Sequence, residues 1–124
     1  MDALLQAQNA YRSESQPIRT DRGTEYEIFA RITHRLRQAA AKAKGVTPAL
    51  ATAVHDNRRL WAMLAADVAG DGNRLPAELR ARIVYLAEFT RTYSSQILNG
   101  ASADPLIEIN SAMMSGLRQR SKET

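Results

Sequence analysis

Two histidines, one tryptophan, a few amides and a run of arginines are the residues through which this 124-residue chain could do chemistry. His34 and His55 fall in separate segments, and neither has a second His or a carboxylate at a metal-type spacing such as HExxH. His55 and Asp56 are neighbours in sequence, so on a helix they point roughly 100° apart and form no joint site. A solvated or helix-capping role suits both histidines. The chain has no cysteine, which excludes a thiol nucleophile, a disulfide framework and any Cys-ligated zinc or iron–sulfur site. No G-x-S-x-G elbow is present, and Gly70-Asp71-Gly72 is turn chemistry without the G-K-S/T of a phosphate loop. The carboxylates are dispersed, several of them one helical turn from a base. The expectation is a protein that is no enzyme and needs no metal or cofactor.

The residues that stand out are polar side chains set on apolar stripes. Asn57 precedes Trp61 by four residues, and Asn110 sits between Leu106 and Met113, so each amide shares a helix face with large apolar groups. Buried amides cost free energy unless they find partners. They can bond inside a bundle and fix helix register, or face a groove that accepts a partner helix. Trp61 is the single Trp, a type that fills cores and also dominates interface hot spots. It lies on a helix rich in Ala, which permits close approach of either an internal neighbour or a guest. Arg58 and Arg59 flank Asn57 as solubilising charges or as the rim of a recognition surface. Asn57, Arg58, Arg59, Trp61, Leu64 and Asn110 are therefore the candidate partner-binding set.

Glycine and proline mark the elements that must position these residues. Gly45 is followed by Pro48, Gly70 and Gly72 by Pro76, and Gly100 by Pro105. Gly tolerates the left-handed conformation that closes a helix, and Pro fits the first turn of the next. The junctions divide the chain into four helical blocks. The first runs from about Thr20 to Ala43 on the stripe Tyr26, Phe29, Ile32, Leu36, Ala40, Ala43. The second starts with Thr47 as N-cap and carries Leu50, Val54, Asn57, Trp61, Leu64 and Val68. The third, from Pro76 to Gly100, carries Leu79, Ile83, Leu86, Thr90, Tyr93 and Ile97. The fourth uses Asp104 as N-cap and carries Leu106, Ile109, Asn110, Met113 and Leu117. Leu4, Gln8 and Tyr11 suggest a short N-terminal helix before a linker at Ser13–Pro17. The reading is an all-α, single-domain bundle over 1–124: four main helices, a short N-terminal helix and linker at 1–18, and a polar tail at 118–124.

Charge and hydropathy add limits. The net charge is +4, and 14 of the 17 basic residues are Arg. From Arg19 to Leu60 nine bases face four acids, whereas from Trp61 to Thr124 the count is seven against seven. This excess is mild, and no RNA-binding motif with interleaved aromatics appears, so direct RNA binding is expected to be weak or absent. The longest apolar run, Leu60 to Ala66, is far short of the roughly 20 residues a membrane span needs. The N-terminus, with an acid at Asp2, does not read as a signal peptide.

Several runs in order resemble one family, the alphaproteobacterial flagellar biosynthesis regulator FlaF. They are Asn57-Arg58-Arg59-Leu60-Trp61, Ala66-Asp67, Asn73 through Ile83, Pro105 through Asn110, and Met114-Ser115-Gly116-Leu117. Tyr11, Pro17-Ile18-Arg19 and Thr24-Glu25-Tyr26 are similar in style. One departure is Ser111, where the family pattern leads one to expect Arg; it removes a basic contact from the last helix. The resemblance implies a cytoplasmic factor needed for flagellin production and export, working opposite a second regulator, FlbT, that acts on flagellin mRNA. Two mechanisms fit: a secretion chaperone that binds an amphipathic terminal helix of flagellin, or a post-transcriptional regulator acting through FlbT or the message. A compact bundle of little net charge in its second half favours the first. The Arg-rich first half is what the second would draw on.

Overall fold

A computed structural model of the chain describes residues 21–123, with side chains from 25 to 117. It contains α1 (Asp21–Lys42), α2 (Pro48–Ala69), α3 (Ala77–Ile97) and α4 (Asp104–Glu123), and no strand among the described residues. The expected N-terminal helix and linker at 1–18 lie outside the described residues. The backbone of α4 stays helical through Glu123, so most of the polar tail at 118–124 continues the helix. Ser, Lys and Arg are all tolerated in a helix, and the sequence offers no Gly or Pro after Gly116 to stop it.

The helix starts follow from local chemistry. Thr47 caps α2: its hydroxyl oxygen accepts the Leu50 N–H at 3.1 Å, and Pro48 occupies the first turn, where no N–H is required. Pro76 opens α3, and its carbonyl accepts the Arg80 N–H at 3.0 Å. The start of α4 lies one residue before the expected place. The Ala103 carbonyl takes the first helical bonds, from Leu106 and Ile107 at 3.1 and 3.2 Å, so Asp104 is already inside the helix. Ser102 contributes its hydroxyl to the Asp104 N–H at 3.1 Å. Gly70 does not take the left-handed conformation expected of it; it is extended at φ −76°, and Gly72, at φ +85°, makes that turn.

Helix α1 packs on both α2 and α4, and α2 packs in addition on α3. The neighbour order is therefore α4–α1–α2–α3, with α3 and α4 as the flanks. Two apolar clusters fill the interior. One joins Ile28, Phe29 and Ile32 to Leu60, Trp61, Val68, Ile83 and Leu117; the other joins Leu36 to Leu50, Val54, Ile97 and Leu106. Phe29 meets Trp61 edge to face, with ring centres 5.5 Å apart and planes at 80°. That geometry suits the ring quadrupoles and is worth about 0.5–1.5 kcal/mol beyond the area it buries. No helix among the described residues is long and apolar enough to cross a membrane.

Candidate functional site

At the centre of the α1–α2–α4 trio is a chain of polar contacts whose direction can be derived. The Trp61 indole N–H can only donate. It lies 2.9 Å from Asn110 Oδ1, which turns the Asn110 amide nitrogen the other way. That nitrogen donates both its hydrogens, to Thr33 Oγ1 at 3.0 Å and to Asn57 Oδ1 at 2.6 Å. Asn110 thus ties α4 to α1 and α2 through three bonds, all shielded from water. Trp61, Asn57 and Asn110 have no exposed surface at all. In such surroundings each bond is stronger than in water, and each broken one leaves a costly orphan.

Helix α3 is built the other way round. Among its buried residues, Thr90 and Ser94 are as numerous as Ile83 and Ile97. Its outward surface holds Val84, Tyr85 and Phe89, with Tyr85 69 % exposed. Phe89 stacks on Tyr93 with ring centres 5.5 Å apart, and the Tyr93 hydroxyl donates to the Ser102 carbonyl at 2.7 Å. Ser94 donates back to the Thr90 carbonyl at 2.6 Å. Among the described residues three buried side-chain atoms make no hydrogen bond: Arg80 Nε and Thr90 Oγ1 on α3, and Asn57 Nδ2 on α2. Further out on α3, Glu88 and Arg91 form an exposed ion pair, and the bond from Arg91 holds the Glu88 carboxyl below its ordinary pKa.

Because α3 packs on α2 and α4 on α1, the first apolar cluster opens between the two flanks. The opening is a cleft of about 290 Å³ lined by Leu64 and Val68 of α2, Leu79 and Ile83 of α3, and Met113 and Leu117 of α4. Leu75 extends it, and Glu25, Asp67 and Arg74 stand at its edge. Gly116 also lines it, and a methyl group built there would meet no atom of the described residues within 4 Å.

The six candidate residues divide accordingly. Asn57, Trp61 and Asn110 come together, but in the interior, where they hold helices to one another and present no surface to a partner. Leu64 is half-buried in the cleft wall. Arg58 is exposed and Arg59 half-buried, and neither belongs to the polar chain or the cleft lining. As neighbours on a helix they point roughly 100° apart and do not form one rim. Thr33 was not singled out from the sequence, although it follows Phe29 by four residues and precedes Leu36 by three, which places it on the buried stripe. The cleft residues of α3 and α4 carried no chemical signal; they read as ordinary core. His34 and His55 are both exposed. No group of three or more His, Asp or Glu that could hold a metal ion occurs among the described residues.

Fold and site together define a helical bundle closed by polar bonds on one side and open to apolar contact on the other. The chain belongs to the FlaF family: the family model for the flagellar protein FlaF matches residues 7–117. No curated protein and no solved structure matches it.

Proposed function

We propose that this flagellar protein is a cytoplasmic flagellin-binding export factor, a chaperone without catalysis, and that its working surface is the α3–α4 cleft. Flagellin termini are amphipathic helices that polymerise, so a chaperone must cover their apolar stripe until export. The observation that carries the reading is the cleft itself: half-buried Leu64, Leu79 and Met113, packed against a core cluster, line a concavity bounded by α2, α3 and α4. The exposed aromatics Tyr85 and Phe89 on α3 extend the apolar surface beyond it. An amphipathic helix laid there would insert its anchors at helical spacing, the usual helix-in-groove mode.

The test is a cleft plug. Gly116→Phe sends a ring into space that the described residues leave open. The variant is expected to melt near the wild type and to lose at least tenfold in affinity for purified flagellin by calorimetry. Unchanged affinity in a folded variant would remove the cleft from flagellin binding. A second reading, control of flagellin synthesis through FlbT or flagellin mRNA, is favoured by one observation, the bases on the outer face of α1. Salt-resistant retention of flagellin leader RNA by the purified chain, with no flagellin bound, would establish that reading in place of the first.

A further inference from the structure

Between the C-terminal half of α1 and the N-terminal half of α2 lies a second and larger concavity of about 740 Å³. It shares no residue with the α3–α4 cleft. Small apolar side chains, Ala39 of α1 with Ala49 and Ala53 of α2, line it beside the polar Gln38 and Thr52. Arg35 and Lys42 stand on the α1 rim and Asp56 on the α2 rim. Seven residues separate the two bases, which puts them on one face of α1 and roughly 10 Å apart along its axis. Arg31, one turn before Arg35, continues the stripe. All three bases are exposed, and among the described residues none takes part in an ion pair.

We infer that this concavity is a docking site for a protein helix with an acidic edge, separate from the cleft assigned to flagellin. The match is one of charge and shape. Two carboxylates seven residues apart on the guest would face Arg35 and Lys42. A stripe of small apolar residues would lie on Ala39 and Ala53, and a basic side chain would face Asp56. A phosphodiester backbone fits worse. The lining offers no aromatic ring on which a base could stack, and the Asp56 carboxylate repels phosphate at the place where the guest must sit.

The sign of the Asp56 effect separates the two chemistries. The probes are a 21-residue Ala-based helical peptide with Glu at positions seven apart and Lys on the flanking face, a scrambled peptide of the same composition, and a 20-nucleotide polyuridine. Binding to the full chain is read by fluorescence anisotropy at low and physiological salt. The patterned peptide is expected to bind at least tenfold more tightly than the scramble. Arg35→Glu with Lys42→Glu should cost it tenfold or more without moving the melting temperature. Asp56→Asn should weaken the peptide severalfold, whereas it should tighten polyuridine. Gly116→Phe should leave peptide binding intact even where it abolishes flagellin binding. Equal binding of patterned and scrambled peptides overturns the proposal, as does a peptide that binds more tightly to Asp56→Asn. Loss of peptide binding in Gly116→Phe would place the peptide in the other cleft and overturn it too.

Discussion

Thr33 on α1 and Thr90 on α3 are both buried hydroxyls, 1 % and 0 % exposed. Thr33 accepts a bond from Asn110 and belongs to a chain of contacts running through three helices. Thr90 Oγ1 has no hydrogen-bond partner among the described residues. The same residue type at the same depth thus marks one helix that is locked and one that is merely packed. Helix α3 keeps polar atoms beneath it and apolar rings above it. The trio α1, α2 and α4 buries its polar atoms only where each finds a partner, Asn57 Nδ2 excepted. The difference separates a rigid frame from a wall whose outer surface is available to something else.

The largest effects are expected at the hub of the frame and at the tryptophan bonded to it. Asn110→Ala would leave the Trp61 N–H, Asn57 Oδ1 and Thr33 Oγ1 without their bonds and open a small void, so a loss of about 3–4 kcal/mol is expected in denaturant unfolding. Trp61→Ala removes the edge-to-face contact as well as the bond and should cost about 3–5 kcal/mol. If Trp61→Ala instead melted like the wild type while flagellin binding collapsed, Trp61 would be an interface anchor and the interior position assigned to it would be wrong.

A medium-sized effect comes from one substitution made twice. Val is close to Thr in shape and lacks the hydroxyl. Thr33→Val takes away an acceptor and leaves an Asn110 hydrogen unpaired in the interior, which should cost about 1–3 kcal/mol. Thr90→Val removes a hydroxyl that has no partner and should be neutral or mildly stabilising. Equal losses at the two positions would abolish the distinction between frame and wall.

Much of this was legible in the residues. Asn57 with Trp61, and Asn110 between Leu106 and Met113, announced polar groups on apolar stripes, and helical periodicity put them in the right helices. Thr47-Pro48 announced the start of α2. The periodicity could not say which helices are neighbours, and burial of the amides depends on that: α4 reaches them only because it packs on α1. The same limit hid the cleft. Leu79, Ile83, Met113 and Leu117 recur as a core stripe does, and a stripe facing a gap has the same spacing as one facing a neighbour. The start of α4 was misplaced by one residue because Asp before Pro is the commoner cap, while here Ser102 supplies the hydroxyl.

The smallest expected effect concerns the wall of the cleft. Gly116 lies well inside α4, where glycine is less favourable than alanine by about 0.5–1 kcal/mol because it loses more backbone freedom on folding. The described residues give no steric reason for it, since an added methyl meets none of their atoms within 4 Å. Gly116→Ala is therefore expected to raise stability by about 0.5–1 kcal/mol, seen as a higher denaturation midpoint at unchanged slope. Residues that weaken a protein are tolerated where function uses them, and a glycine lets a guest backbone approach more closely than any other residue. So the same variant should bind flagellin a few-fold more weakly while being the more stable protein. A drop in stability would mean that the space beside Gly116 is filled in solution. A gain in stability with full flagellin affinity would leave the cleft open but place the guest helix nearer Leu79 and Tyr85, on the α3 side.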